Sequence, residues 1–170
     1  IGARNAGAFD VNAACNGFIA ALAAGAQFVN AGVYQRVLVV GAEVLSRIVD
    51  WSDRGTCILF GDGAGAVVLE AAQSGGPSAF VLKSDGAGGK FLYAKGPASA
   101  PNTLAETEGF CIVMDGREIF RYAVRSMEDA ARHSLAEAGW SIDDVSYVIP
   151  HQANQRIISA LAKNMGVESE

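Results

Sequence analysis

The chain of 170 residues has only three cysteines, Cys15, Cys57 and Cys111, widely separated and odd in number. That excludes a small disulfide-framed domain and offers no paired spacing for a structural zinc site. No uninterrupted apolar run is long enough to span a bilayer, and no basic start leads into an apolar core and cleavage site. Neither a membrane protein nor a signal peptide is therefore expected. Basic residues are outnumbered, 13 Lys and Arg against 18 Asp and Glu, and the resulting net charge of -5 argues against general nucleic-acid binding. Charged residues make up 18% of the chain, while 51% are hydrophobic and 20 are glycine. This is the balance of a soluble α/β protein, expected in the cytoplasm.

Apolar patterning places the elements. Residues 16–31 form an almost wholly apolar stretch with no charged face, and Gly32 marks its stop, so a buried helix is expected there. Arg36 to Gly41 is a continuous apolar run of the kind covered on both faces, and 55–60, 66–70, 79–83 and 145–149 read as further strands. Gly61-Asp62-Gly63-Ala64-Gly65 is a weak nucleotide fingerprint, because a β-branched run and not a helix start follows it. A tight connection between two strands is the better reading. Residues 71–77 suit a link between two halves, and 86–107, with four glycines and two prolines, an irregular excursion. Residues 117–138 repeat apolar side chains at three- and four-residue steps up to Gly139, which predicts an amphipathic helix. Ser141, with Asp143 and Asp144 behind it, predicts a capped helical turn.

Two residues stand out chemically. A lone cysteine at an apolar helix start is more often a small core residue, and Cys57 and Cys111 are read as buried thiols. Cys15, however, lies where a strand-like stretch meets the helix, and a helix start favours the reactive thiolate. His151 falls just past the expected strand 145–149, and in α/β sheets ligands gather at the carboxyl ends of strands. His133 sits mid-helix between Arg132 and Ser134 and reads as an ordinary surface residue. Arg117, Arg121 and Arg125 form a stripe at four-residue spacing, which by itself is a solvated helix face.

Five motifs occur in one order: Asp10-Val11-Asn12-Ala13-Ala14-Cys15-Asn16-Gly17-Phe18, Asp53-Arg54-Gly55-Thr56, Phe60-Gly61-Asp62-Gly63-Ala64-Gly65-Ala66, Met114-Asp115-Gly116-Arg117-Glu118-Ile119-Phe120, and Pro150-His151-Gln152-Ala153-Asn154. Together they resemble the β-ketoacyl-acyl carrier protein synthase III family of thiolase-superfamily condensing enzymes, over essentially the whole chain. The resemblance implies a layered αβαβα thiolase-like fold. Residues 1–72 would be the C-terminal part of the first half and 73–170 the N-terminal part of the second. It also implies a chain lacking both family ends, since such synthases are about twice as long, in keeping with two fused halves each near domain size. A tryptophan used against the coenzyme A adenine and the third catalytic residue, an asparagine in a later glycine-rich segment, would lie outside.

The implied activity is decarboxylative condensation of a short acyl-CoA with malonyl-acyl carrier protein, initiating type II fatty-acid synthesis. Cys15 would be nucleophile and acyl carrier, and His151 an N–H donor to the enolate. Arg54 resembles the adenine contact, Asn154 and the Gly116 backbone pantetheine contacts, and Leu45, Phe60 and Phe120 the acyl-pocket lining. Gln152, Ala153, Asn154, Gln155 and Arg156 resemble the carrier-protein segment, with Arg121 and Lys163 as further basic docking positions. Asn164, where the family can carry a second lysine, departs from that pattern. No cofactor or metal is implied, coenzyme A being substrate, and a homodimer is expected. Polyketide starter-unit, chalcone-synthase-like and hydroxymethylglutaryl-CoA-synthase-like enzymes share the cysteine and histidine, and a non-catalytic fragment or dimerisation module is the rival of another class.

Overall fold

A computed structural model describes residues 2–94 and 111–168. The chain forms two compact units, one of Ile1–Ala42 with Ala64–Pro77, the other of Glu43–Gly63 with Ser78–Glu170. In chain order the elements are α1 (Gly17–Asn30), β1 (Arg36–Val44), β2 (Asp62–Glu70), β3 (Leu92–Ala94), β4 (Ile112–Met114), α2 (Gly116–Ala138) and α3 (Gln155–Met165). Helices and strands are mixed, as the α/β reading expects.

In the first unit α1 lies on the strands that follow it. Ala23, Gly25 and Ala26 form its buried stripe, and β1 and β2 pair with each other. Gly25 is the point of closest approach. A Cβ there would stand 3.1 Å from Val37 Cγ1 and Val39 Cγ2 and 3.2 Å from Leu69 Cδ1. Replacing a helical glycine by alanine normally gains about 1 kcal/mol, but overpacking a filled contact costs about 1–3 kcal/mol. With three side chains in the way the second effect wins. Gly25→Ala is expected to lower stability by about 1 kcal/mol, read as a lower denaturant midpoint at unchanged slope. A higher midpoint would mean that the two valines and Leu69 can draw back.

The first unit departs from expectation in how little it covers. Val39 is 4% exposed, whereas its neighbours Leu38 and Val40 are 49% and 52% exposed. Among the described residues, β1 is therefore covered on one face and not both. The helix is likewise buried along a single stripe, with Ile19 exposed. The tight strand connection expected at 61–65 is absent too. Asp62, Gly63, Ala64 and Gly65 already belong to β2, so β1 and β2 are joined by the longer stretch 45–61.

The second unit is built on a small core of Val49, Cys57 and Ile112, against which Leu45, Ile48, Phe60 and Leu92 pack. β3 and β4 run antiparallel, with Leu92 opposite Met114 and Ala94 opposite Ile112. α2 starts at Asp115, whose Oδ1 accepts from the amides of Arg117 and Glu118 at 3.1 Å each, and stops at Gly139 in the left-handed region at φ 69°. α3 packs on α2, burying Ile157, Leu161, Ala162 and Met165. The Ser141 turn forms as expected over Ile142–Asp144. Ser141 donates to the Asp144 carboxylate through both N–H and Oγ, which holds that carboxyl below its ordinary range.

Three expected strands are not strands. In 55–60 the local chemistry forbids a ladder, because the Asp53 carboxylate accepts from Gly55 N and its carbonyl from Thr56 N and Cys57 N. Those donors are committed to an Asx turn, and Cys57–Leu59 winds on as a 3₁₀ turn. Residues 79–83 and 145–149 carry strand-forming side chains but no ladder partner among the described residues. Tyr147 and Ile149 are accordingly 83% and 85% exposed. The excursion expected at 86–107 contains a 3₁₀ turn (Gly86–Phe91) and β3, and its remainder from 95 lies outside the described residues.

Candidate active site

Cys15 occupies a 3₁₀ turn, Ala14–Asn16, that runs straight into α1. The turn is strained. Ala14 has φ 47°, the left-handed region in which a Cβ is unfavourable by about 1–2 kcal/mol. Strained turns of this kind between an extended segment and a helix hold a nucleophile clear of the backbone. Cys15 is exposed, which overturns the reading of a small core residue. The first turn of α1 has neither a side-chain cap on its amides nor an acidic residue. The Gly17 N–H turns back onto the Ala14 carbonyl, and the positive end of the helix dipole is left uncompensated by side chains near the thiol.

In the second unit, the pieces read from the sequence fall into three groups. Leu45 and Phe60 pack on the same core cluster, Val49, Cys57 and Ile112, while Phe120 is half-buried on α2 and Gly116 is that helix's first residue. Arg54 is exposed on the turn that Asp50 and Asp53 stabilise. The Asp50 carboxylate accepts from Ser52 N at 2.8 Å and Ser52 Oγ at 2.6 Å and is held below its ordinary range by those bonds. Ser46 grips the start of β2 in the same way, donating through Oγ and N to Asp62 at 2.6 and 2.8 Å and lowering that carboxyl.

The third group surrounds His151, which is exposed just after Pro150. Three residues on, Asn154 is the N-cap of α3, its Oδ1 accepting from Ile157 N at 3.0 Å. That oxygen is thus committed to the helix, and the amide nitrogen is the group left for the pantetheine contact that the sequence resemblance implies. The two roles can be separated. Asn154→Asp keeps the capping oxygen and should leave stability within about 0.5 kcal/mol, whereas Asn154→Ala should cost about 1 kcal/mol. If Asn154 also makes that implied contact, both should raise the Michaelis constant for acyl-CoA severalfold, as losing one hydrogen bond does. Normal kinetics in the aspartate variant would leave Asn154 as a cap only.

The basic positions are unequal. Gln152, Gln155, Arg156 and Lys163 are exposed around α3 and Ala153 is half-buried. Arg121 is not free, since its Nη1 lies 3.0 Å from Glu118 Oε1. Of the expected arginine stripe, Arg121 and Arg125 line an open cleft of about 770 Å³ together with Asp85, Glu118 and Asp129, and Arg117 does not. His133, expected to be an ordinary surface residue, is exposed and sits within this polar layer, its Nδ1 2.8 Å from the Asp129 carbonyl oxygen. Lys83 reaches Asp129 at 2.7 Å and is the first cause of that carboxyl's lowering.

Some of these features leave no trace in the residue pattern. Nothing marks Ala14 as strained, and the Ser46–Asp62 grip joins residues far apart in sequence. The i, i+4 spacing of Glu128 and Arg132 is the one signal that could have been followed.

Comparison with known proteins adds one consistent likeness. A family model described as 3-oxoacyl-[acyl-carrier-protein (ACP)] synthase III matches residues 9–97, and one for the C-terminal region of that synthase matches residues 135–170. The β-ketoacyl-[acyl-carrier-protein] synthase III of Clostridium acetobutylicum is 47% identical, the match covering 100% of this chain and 53% of that protein. That of a Synechocystis species is 46% identical, with 100% and 53% covered. The crystal structure of β-ketoacyl-[acyl carrier protein] synthase III from Thermus thermophilus superposes with a TM-score of 0.85 at 44% identity, over 94% of this chain and 50% of that one. A priming β-ketosynthase from the R1128 polyketide pathway gives 0.88 at 40% identity, over 99% and 50%. The thiolase-like α/β fold stands on these likenesses. The chain spans about half the length of the curated relatives it matches.

Proposed function

Because the chain belongs to the 3-oxoacyl-[acyl-carrier-protein] synthase III family, we propose that it supplies the nucleophile and the enolate donor of a decarboxylative condensing enzyme. The observation that carries this reading is Cys15, exposed on a strained turn at the uncapped start of α1. Its thiolate attacks the thioester of a short acyl-CoA and expels the coenzyme A thiolate, leaving an acyl-Cys15 thioester. Malonyl-acyl carrier protein then enters. Loss of carbon dioxide leaves an enolate whose oxygen accepts from a His151 N–H, and its carbon attacks acyl-Cys15 to release 3-oxoacyl-acyl carrier protein and the Cys15 thiolate. No resident cofactor is needed, coenzyme A being consumed as substrate. The working form proposed is a cytoplasmic homodimer, with residues 1–72 and 73–170 contributing to successive thiolase-like halves. Two family models along one chain, over residues 9–97 and 135–170, support two successive parts, though the first runs past residue 72.

The test is labelling. A full-length protein carrying this chain, incubated with radiolabelled acetyl-CoA, should take up about one acetyl group per chain on Cys15 and pass it to malonyl-carrier protein as a 3-oxoacyl product. No stable label would sink the reading and leave a non-catalytic fragment or a dimerisation module. The likeness to the priming polyketide synthase supports a second outcome, in which the same chemistry serves a polyketide carrier protein. Competing the two malonyl-carrier proteins in one reaction decides between them.

Docking has its own expected result. Replacing Arg121, Arg156 and Lys163 together by Ala should raise the Michaelis constant for malonyl-carrier protein about tenfold and flatten its salt dependence, because exposed charges are worth about 1 kcal/mol or less each. Arg121, already paired with Glu118, should contribute least. Acylation by acyl-CoA should change little. An unchanged salt slope would return these residues to an ordinary solvated surface.

A further inference from the structure

α3 has eleven residues, a length that is marginal for an isolated helix. Its direction must therefore come from what it packs on. The buried face, Ile157, Leu161, Ala162 and Met165, supplies attraction, but apolar contact is non-directional and tolerates a roll or a slide along the neighbouring helix. Something polar has to choose the register, and it is found at the far end of α3 from Asn154. The carbonyl of Asn164 is among the last four of the helix and has no partner within it. Arg132 of α2 supplies one, Nη2 donating at 2.9 Å to that oxygen. The same guanidinium donates through Nε to Glu128 Oε1 at 3.0 Å. Asn164 closes the ring, its Nδ2 donating to Glu128 Oε2 at 2.9 Å. Both carboxylate oxygens of Glu128 are thus used, and the cation sits at a helix C-terminus, where it is favoured.

We propose that Glu128, Arg132 and Asn164 are positioning residues for the segment 151–156, fixing the register of α3 on α2 and thereby the spacing of Arg156 and Lys163 from Arg121. None of the three needs to touch substrate. The inference rests on the functional reading above. It also gives Asn164 a role of its own, since a lysine there would bring charge to the surface but could not donate to Glu128 with the same planar amide.

The test is a paired exchange in the full-length protein. Asn164→Asp removes the donor and sets two carboxylates against each other, whereas Glu128→Gln combined with Asn164→Asp restores an amide facing a carboxylate with the roles reversed. The single variant should raise the Michaelis constant for malonyl-carrier protein about fivefold, while the rate of self-acylation by acetyl-CoA stays within about twofold. The double variant should bring the Michaelis constant back to near the wild-type value. Should the single variant fail to fold, Arg132→Gln, which loses the bond to the Asn164 carbonyl, should show the same split. A lower thermal midpoint with an unchanged Michaelis constant, or an equal fall in acylation and condensation, would reduce the ring to a structural brace. A wild type that turns over no malonyl-carrier protein overturns the functional reading as well, and with it this one.

Discussion

Replacing Cys15 by alanine in a full-length protein carrying this chain should abolish acyl-enzyme formation and lower condensation by about 10⁴-fold or more, the scale on which removal of a nucleophile acts. The other two cysteines cannot substitute. Cys57 is buried in the small core of the second unit and Cys111 is half-buried, whereas Cys15 is exposed at the open end of α1. Decarboxylation of the malonyl thioester should survive in the variant, because it needs a donor to the enolate oxygen and not the thiol. Labelling with radiolabelled acetyl-CoA, followed by proteolysis to find the labelled peptide, measures the first half-reaction, and released carbon dioxide the second. Near-normal condensation by the alanine variant would remove Cys15 from the mechanism altogether.

The second large effect should run the other way. His151→Ala removes a donor to a developing oxyanion, a loss on the order of a hundredfold in rate or more, equivalent to about 3 kcal/mol. That loss should fall on decarboxylation and condensation, while Cys15 still acquires an acetyl group. If acylation disappeared and decarboxylation stayed normal, His151 would instead be the base that takes the thiol proton, and the two roles would have to be exchanged.

The two longer helices, α1 and α2, were legible in the residue pattern and most of the strands were not, for a physical reason. A helix closes its hydrogen bonds within itself. The apolar stripe of α2, its Asp115 cap and the left-handed Gly139 are local features, and the observed ends fall within a residue of those expected. A strand exists only if a second segment pairs with it. Residues 79–83 and 145–149 have the side chains for strands but no ladder among the described residues. In 55–60 a single aspartate, Asp53, diverts the backbone donors into a turn. The chemical residues followed the same division. Cys15 and His151 were singled out through their motifs, but the φ of Ala14 and the ring at Asn164 depend on backbone geometry or on residues distant in sequence.

The close contact at Gly25 makes α1 a lever. At 1.5 Å per residue, the last residue of the helix lies about 7.5 Å beyond Gly25 and the first, Gly17, about 12 Å before it. If a side chain at 25 lifted the helix from the valines of β1 by a few tenths of an ångström while its C-terminal end stayed put, the Gly17 end would swing by roughly two and a half times as much, approaching 1 Å. Misplacement of a reacting group by about 1 Å can already cost about a hundredfold in rate. One missing methyl group in the middle of α1 would thus set where the Cys15 end of the helix stands, though it lies about two helical turns from Gly17 and faces only hydrocarbon.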